Sequence, residues 1–257
     1  MEYGKKKKKL GHSASKEIHG MLADYTYELH PLTRDEFPSF MEQHAFRAIN
    51  VTIPYKQDVI PYLSDIDDTA KENGAVNTIV NRNGRLSGYN TDMPGFMYMV
   101  RKNGIDMKGK KVVILGNGGA SQAVQAGVKH LGASEQIIVG HRTMKDGVIT
   151  YEECFDRHAD ADIIVNTSPV GMFPAIDASP VDLTKFPQCH AVVDIIANPL
   201  TTKLVAQARD LGMTGITGLE MLVAQAKYAS EIFQGIKIPE ERIDEIYQKL
   251  ANSTAPI

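Results

Sequence analysis

The 257-residue sequence predicts a protein of two α/β domains, and three observations carry this prediction. Domains usually contain about 100 to 200 residues, so the chain has room for two modest ones. The first hundred residues alternate helical and extended patterns, and a strand, turn, helix and strand pattern then restarts at "GKKVVILGNGGASQAVQAGVKHLGASEQIIVGHRT". Hydrophobic residues (43%) and charged residues (23%) have globular proportions, which excludes a mostly disordered or collagen-like chain.

The first domain is predicted to span residues 1–100. A helix begins near Ser13, and the alternating "YTYEL" that follows predicts a strand. "RDEFPSFMEQH" has helical spacing, "AFRAINVTI" is typical of a strand, and Pro54 suits the first turn of a helix that would contain Lys56. "GAVNTIVNRNGRLSGYNTD" predicts a β-hairpin, because the Asn and Gly residues of "NRNG" tolerate positive φ.

The second domain is predicted to span residues 101–218. After the opening pattern, "ADIIVNTSPVGM" and "HAVVDIIANP" supply two more apolar strands, and "TTKLVAQARDLG" supplies a helix. The last residues, 219–257, contain two helical patterns, "LEMLVAQAKYASEIFQGI" and "PEERIDEIYQKL", which could pack against either domain.

Charge and composition argue against several classes of protein. The formal net charge of −3 does not favour a nucleic-acid partner, and the basic run Lys5–Lys9 is local. The residues after that run, "LGHSASKEIHG", are not the apolar core of a signal peptide, and no apolar run approaches the roughly 20 residues that span a membrane. We therefore expect a cytoplasmic protein without a membrane partner.

Cysteine and histidine give no sign of a metal site. The two cysteines, Cys154 and Cys189, form no Cys-x-x-Cys pair, and no two histidines show metal-ligand spacing beside acidic residues. We expect both thiols to be structural or incidental, and no metal.

The stretch "VVILGNGGAS" indicates a site for a dinucleotide cofactor. Gly116 can make the tight turn after the strand, and Gly118 lets the backbone approach a diphosphate. Small residues next to them allow close packing of a helix whose first amides and positive dipole face the phosphates. The candidate cofactor-binding residues here are Gly116, Asn117, Gly118, Gly119 and Ala120. Glycines in such turns also serve packing alone, so the position between strand and helix is what favours the cofactor.

The end of the next strand favours NADP over NAD. An NAD-specific domain places an acidic residue against the ribose 2′-hydroxyl, and "IIVGHRT" contains none. Arg142 and Thr143 stand there instead, and a guanidinium group suits a 2′-phosphate. The alternative is an ordinary solvated basic loop.

Seven blocks of the sequence resemble the shikimate dehydrogenase family. They are "HSASKEIH", "NVTIPYK", "GAVNT", "GYNTD", "GNGGAS", "NTSPVGM" and "GLEMLVAQA", in the order found in that family, and they extend from Gly11 to Gln225. The resemblance implies a substrate domain completed by the C-terminal helices, a Rossmann-type NADP-binding domain, and a cleft that both domains flank. It also implies reversible NADPH-dependent reduction of 3-dehydroshikimate to shikimate, a step of aromatic amino acid biosynthesis, in a monomer or homodimer.

The resemblance also assigns roles to residues at the matching positions. Lys56 and Asp92 would be the catalytic pair, and Gly218 would contact the cofactor. The substrate-binding residues would be Ser13 and Ser15 for the carboxylate, and Thr52, Asn77 and Gln225 for the hydroxyl groups. The chemistry is consistent with these types, because an alkoxide formed by hydride transfer needs a positioned proton donor. These residues also allow interpretations without a function. "HSAS" and Asp92 could be helix caps, and Lys56 could be a surface residue.

The sequence departs from the family pattern in four places. Lys5–Lys8 stand where the family has an apolar strand, which predicts a damaged or differently solvated first strand. Ala197 replaces a tyrosine before "NP", Ala48 replaces a glycine, and the segment after Arg142 is short. The short segment predicts a more open site for the adenine and weaker binding of the cofactor, and Ala197 removes a ring that would line the cleft.

Three alternatives therefore stay open. The first is a quinate/shikimate dehydrogenase with relaxed cofactor use. The second is a catalytically weak NADP-binding regulatory protein. The third makes the lysine run a patch for nucleic acid or membrane surfaces, which the absence of interleaved aromatic residues disfavours.

Overall fold

The computed structural model describes residues 3–6, 14–140 and 147–253, with side chains described from residue 14 onward. The chain divides into two compact units. One unit contains the described residues of Met1–Pro94 together with Val223–Ser253, and the other contains Gly95–Leu222. Each unit has its own sheet with helices against it, which confirms the predicted α/β class.

The first unit is built around a six-stranded mixed sheet in the order β2-β1-β3-β5-β6-β4. Strand β1 is parallel to β2 and β3, and β5 is antiparallel to β3 and β6. The elements are β1 (Tyr3–Lys6), α1 (Ala14–Leu22), β2 (Tyr27–Leu29), α2 (Glu36–Gln43), β3 (Ala48–Val51), β4 (Asp65–Ile66), α3 (Asp68–Asn73), β5 (Thr78–Arg82), β6 (Arg85–Tyr89) and α9 (Glu241–Ala251). Helices α4 (Asp92–Lys102) and α8 (Leu219–Gln234) each have one end in this unit and one in the other.

Apolar side chains cover both faces of this sheet. On one face, Ile49 and Ile79 pack with aromatic residues of α2 such as Phe37. On the other face, Ala48 and Val80 pack with α8. Because neighbouring residues of a strand point to opposite faces, this alternation follows directly from the sequence.

The predicted hairpin is confirmed. Strands β5 and β6 pair antiparallel, and the turn residues Asn83 and Gly84 have φ of 55° and 85°. These are the positive values that a two-residue hairpin turn requires.

The helix predicted to begin at Pro54 is wrong. The residues after Thr52 form successive turns that end in a short 3₁₀ helix, Ile60–Tyr62. The Lys56 carbonyl accepts a hydrogen bond from the Val76 amide, whereas an α-helix would need it to accept from Ile60. Pairing with the neighbouring segment therefore replaces helical hydrogen bonding here.

The lysine run does not prevent the first strand from forming. Lys5 and Lys6 lie in β1, where their backbone is in register with Asn50 and Val51 of β3. Lys7, Lys8 and Lys9 lie outside the described residues. Ala48 is a buried residue of β3 without positive φ, so the absence of glycine introduces no backbone strain there.

The second unit contains an all-parallel sheet in the order β12-β11-β10-β7-β8-β9. Its strands and helices are β7 (Lys111–Leu115), α5 (Gly119–His130), β8 (Glu135–Val139), β9 (Val148–Ile149), α6 (Tyr151–Arg157), β10 (Ile163–Asn166), β11 (Ala191–Asp194), α7 (Lys203–Asp210) and β12 (Thr214–Ile216). In chain order from β7, this is the Rossmann arrangement 3-2-1-4-5-6.

Both faces of the parallel sheet are buried. Val112 and Ile114 pack with α4 and α5 on one face, whereas Val113 and Leu115 pack on the other face with residues that precede and form α7. Burial on both faces explains why these strands are continuously apolar. The strand order reverses between β7 and β10, and ligands of such sheets bind at the carboxyl ends of the strands on either side of this point.

Candidate active site

Lys56 and Asp92 form an ion pair in the first unit. The Lys56 Nζ donates to Oδ2 of Asp92, and the two side chains are 15% and 13% exposed. Partial burial reduces screening of such a pair by water. The arrangement places an ammonium proton and a carboxylate together, and both side chains keep some exposure.

The position of Asp92 is set by the cap of α4. Oδ1 of Asn90 accepts from the amides of Asp92 (3.0 Å) and Met93 (3.4 Å), which satisfies two free amides of the helix start. The Asn90 Nδ2 donates to the Ala75 carbonyl at 2.8 Å, so the cap is fixed to the segment before β5. Asp92 itself therefore does not act as the cap that the sequence allowed.

The position of Lys56 is set by its neighbours in the chain. Tyr55 is buried, stacks on Phe37 with ring centroids 4.5 Å apart, and donates its hydroxyl to the Leu32 carbonyl at 2.8 Å. The Lys56 carbonyl accepts from Val76 at 2.8 Å. An anchored ring on one side and a backbone hydrogen bond to the neighbouring segment hold the residue in place.

Asn77 and Thr52 lie at the same edge of this sheet. Asn77 is buried, and its Oδ1 accepts from the Thr91 amide at 2.9 Å, one residue before Asp92. The Asn77 carbonyl accepts from the Val51 amide at 2.7 Å, which brings the next residue, Thr52, alongside. The structure thus brings together four of the candidate residues: Lys56, Asp92, Asn77 and Thr52.

The other candidate substrate residues are on two helices of this unit. Ser15 is buried in the first turn of α1, and Ser13 lies outside the described residues. Gln225 is half-buried on α8, one helical turn before Ala229, which packs against the sheet. Positions four apart share a helix face, so Gln225 lies on the side of α8 that faces the sheet.

The glycine turn lies at the switch point of the second sheet. Gly116 has φ of +104°, and a Cβ there would lie 2.8 Å from the Thr167 Oγ1 and 2.9 Å from the Ser168 amide, so only glycine fits. A Cβ on Gly118 or Gly119 would meet nothing within 4 Å, and both residues are exposed at the start of α5. Open backbone at a helix N-terminus fits the diphosphate of a dinucleotide.

The remaining candidate cofactor residues are placed as follows. Asn117 and Ala120 are half-buried in the turn and the first residues of α5. A Cβ on Gly218 would lie 2.1 Å from the Ile195 carbonyl oxygen, so close backbone packing by itself requires this glycine. Arg142 and Thr143, and with them the segment that looked short, lie outside the described residues.

Sequence reasoning missed a buried polar network behind the switch point. The Asp194 carboxylate, at the end of β11, accepts from the Thr202 hydroxyl (2.7 Å), the Asn166 Nδ2 (3.1 Å) and the Ile196 amide (3.1 Å). Burial raises the pKa of this carboxyl to about 6, although its hydrogen bonds act in the opposite direction. The network joins the loops after β10 and β11. An Asp at the end of an otherwise apolar strand was the available signal.

A second set of missed residues surrounds Asn77 in the first unit. Asn50, Thr78 and Thr91 are all buried and hydrogen-bonded to it. They belong to the quoted blocks "NVTIPYK", "GAVNT" and "GYNTD". A strand pattern alone does not tell a buried polar residue from an exposed one.

Metal, thiol and membrane chemistry find no support in the described part of the chain. Cys154 and Cys189 are buried, and burial raises the pKa of each thiol to about 11, which leaves both unreactive. The side chains from residue 14 onward that the structure describes form no cluster able to hold a metal ion. Among the helices described, none is both long and apolar enough to cross a membrane.

Comparison with known proteins identifies relatives over most of the chain. A family model described as the shikimate dehydrogenase substrate binding domain matches residues 8–79. The shikimate dehydrogenase (NADP(+)) of Halothermothrix orenii is 39% identical over an alignment 257 residues long, gaps included. The alignment covers 89% of this chain and 89% of that protein.

Solved structures show the same similarity. A chorismate mutase/shikimate 5-dehydrogenase fusion protein from Clostridium acetobutylicum is 34% identical, with a TM-score of 0.91 over 97% of both chains. A quinate dehydrogenase from Corynebacterium glutamicum in complex with NAD is 26% identical, with a TM-score of 0.85 over 97% of this chain and 99% of that chain. Because the similarity to the Halothermothrix protein extends over most of both chains, we conclude that the chain belongs to the shikimate dehydrogenase family.

Proposed function

We propose that this protein is an NADP-dependent shikimate dehydrogenase, which interconverts 3-dehydroshikimate and shikimate. The family and the name of its Halothermothrix relative support this reaction. The observation that carries the proposal is the Lys56–Asp92 ion pair beside Asn77, because it supplies a proton donor and a hydrogen-bonding group at one sheet edge.

The ion pair has a defined role in this proposal. During reduction, the Lys56 Nζ donates a proton to the substrate oxygen as negative charge develops there. Asp92 orients the ammonium group through its hydrogen bond and balances its charge. During oxidation, the pair takes up the proton of the substrate hydroxyl group.

Short polar side chains hold the substrate. Ser13 and Ser15 bind its carboxylate at the start of α1, where hydroxyl groups and free helix amides meet an anion. Thr52, Asn77 and Gln225 bind its hydroxyl groups. In this assignment, the first unit with its C-terminal helices is the substrate domain.

The second unit binds the cofactor in this proposal. NADP supplies or accepts the hydride when it is bound. Residues 116–120 hold its diphosphate, supported by the open backbone of Gly118 and Gly119. Arg142 and Thr143 hold the 2′-phosphate, and Gly218 contacts the cofactor. The protein acts on small molecules as a monomer or homodimer in the cytoplasm.

A spectrophotometric assay tests the reaction. We expect purified protein with shikimate and NADP⁺ to produce the absorbance of reduced nicotinamide. Lys56→Ala removes the proton donor and should lower kcat by about 10²- to 10⁴-fold. Lys249→Ala, which removes an exposed lysine of α9, is the matched control and should leave kcat unchanged.

Three results would contradict the proposal in different ways. Absence of turnover with NADP⁺ bound in calorimetry would indicate the regulatory alternative. Equal kcat for Lys56→Ala and the wild type would remove the catalytic pair. A larger kcat/KM with quinate than with shikimate would indicate a quinate dehydrogenase, the second candidate, which the similarity to the Corynebacterium enzyme favours.

A further inference from the structure

A chain of buried hydrogen bonds leads from β2 to Asn77 in the first unit. The Tyr27 hydroxyl donates to the Asn50 Oδ1 at 3.0 Å, and the Asn50 Nδ2 donates to the Thr78 Oγ1 at 3.1 Å. The Thr78 hydroxyl donates to the Asn77 Oδ1 at 2.8 Å. All four residues are buried. Burial shields the three hydrogen bonds between these residues from bulk water.

The hydrogen bonds of this chain run in one direction. An amide Nδ2 can only donate, so the Thr78 Oγ1 must accept from Asn50 and its own hydrogen is left for Asn77. The Asn50 Nδ2 uses its second hydrogen on the Asn77 carbonyl at 3.3 Å, which leaves the Asn50 Oδ1 to accept from Tyr27. The donors therefore point from Tyr27 towards Asn77.

This direction fixes how the Asn77 side chain is presented. Its Oδ1 accepts from Thr78 and from the Thr91 backbone amide, which can only donate, so both lone pairs of that oxygen are used. Its Nδ2 donates one hydrogen to the Thr91 Oγ1 at 3.0 Å. The second hydrogen has no acceptor among the described residues. Asn77 can thus offer a ligand an N–H donor and not an acceptor.

We propose that Thr78 and Tyr27 are positioning residues for substrate recognition, because they hold the Asn77 amide with an N–H towards a substrate oxygen. The inference rests on the proposed function. Thr78 acts directly on Asn77, and Tyr27 acts through Asn50. Successive hydrogen bonds of one direction polarise each other, which strengthens the last donor. The ring of His19 stacks on Tyr27 at 4.1 Å and holds it in place.

Thr78→Val tests the chain, since valine keeps the shape and removes the hydroxyl. The Asn77 Oδ1 then loses a donor and the Asn50 Nδ2 loses an acceptor. We expect the KM and the calorimetric Kd for shikimate to rise roughly tenfold, with the KM for NADP⁺ nearly unchanged. The melting temperature should fall by about 2 to 8 °C, because the buried Asn50 N–H loses its acceptor. Thr78→Ser restores the hydroxyl and should return the KM for shikimate to near the wild-type value.

Tyr27→Phe tests the far end of the chain. It removes a donor that is separated from Asn77 by Asn50 and Thr78 in the chain of hydrogen bonds. The KM for shikimate should therefore rise by less than with Thr78→Val. Tyr247→Phe is the matched control, because Tyr247 is a half-buried residue of α9 and lies outside the chain. It should leave the KM for shikimate unchanged.

The outcomes separate this inference from the proposed function. A wild type that neither binds nor oxidises shikimate contradicts the function, and the inference fails with it. A wild type that is active, with a Thr78→Val variant of unchanged KM, contradicts the inference alone. Equal losses for shikimate and NADP⁺ that Thr78→Ser does not restore would show a purely structural role and overturn it as well.

Discussion

In the second sheet, the candidate cofactor site lies at the end of an inner strand and consists of backbone. In the first sheet, the candidate substrate site also lies at the ends of inner strands, but it consists of side chains. Gly116 fits only because it has no Cβ, and Gly118 and Gly119 leave their amides uncovered. At the other site, Asn77 is held by the side chains or backbone of three neighbours. The same kind of location, the end of a strand, is used in two physically different ways.

The difference follows from what each ligand part requires. A diphosphate binds to several amides at once, so a site for it needs close approach of the backbone and a helix dipole. A ring with a carboxylate and several hydroxyl groups needs donors and acceptors at separate points. Side chains provide these, but each must be buried, oriented and satisfied.

The largest effect should come from the glycine turn. Gly116→Ala places a Cβ against Thr167 and Ser168 at positive φ. Because the steric clash adds to the backbone strain, we expect it to lower the free energy of unfolding by more than about 3 kcal/mol. A Cβ at Gly118 meets no atom and φ there is −83°, so Gly118→Ala should lower the free energy of unfolding by less than about 1 kcal/mol, the cost of alanine at a helix N-cap. The Kd for NADP⁺ should rise roughly tenfold. Urea unfolding and calorimetry measure the two quantities. Equal losses of stability in the two variants would contradict the different roles of the two glycines, which are packing for Gly116 and open backbone for Gly118.

The next effect concerns Asp194, whose carboxylate is the centre of a buried network of hydrogen bonds in the second unit. Its pKa is raised from 3.8 to about 6 by burial, so the folded state binds the proton more tightly than the unfolded state. The carboxyl therefore contributes stability that is present below pH 4 and is lost as the pH rises to about 6. Asp194→Asn keeps the shape and cannot titrate, so its stability relative to the wild type should rise by up to about 3 kcal/mol across that range.

Urea unfolding of both proteins from about pH 2.5 to about pH 7.5 measures this difference. Asp162→Asn is a control of opposite sign, because the Lys111 backbone amide lowers the pKa of Asp162. Its stability relative to the wild type should fall as the pH rises to about 4 and should stay level above that pH. Parallel pH curves for Asp194→Asn and the wild type would show that the carboxyl does not titrate in this range.

The smallest effect should come from the cofactor's 2′-phosphate. Arg142→Ala removes a proposed charge-assisted hydrogen bond and should raise the KM for NADP⁺ about tenfold while leaving that for NAD⁺ unchanged. Steady-state kinetics with both cofactors test this. Equal changes in the two KM values would point to a general role of the loop and not to recognition of the phosphate.

Prediction from the sequence succeeded where local chemistry decides the structure. The "NRNG" turn requires positive φ, and Asn83 and Gly84 adopt it. The βαβ opening with its glycine turn leads to a parallel sheet with Gly116 at the switch point. It failed at Pro54, where the Lys56 carbonyl bonds to Val76 and not within a helix. A partner 20 residues away cannot be inferred from local propensity.

The sequence by itself determined the two α/β units, the glycine turn and the family, because periodicity, glycine positions and ordered blocks are local properties of the chain. The resemblance named Lys56 and Asp92 as a pair, but only the tertiary structure shows their ion pair, the cap of α4 by Asn90, and the hydrogen bonds that join Tyr27, Asn50 and Thr78 to Asn77. These contacts join segments distant in sequence, and strand register and burial bring them together. Hydrogen-bond direction in the buried chain then follows from which atoms can only donate.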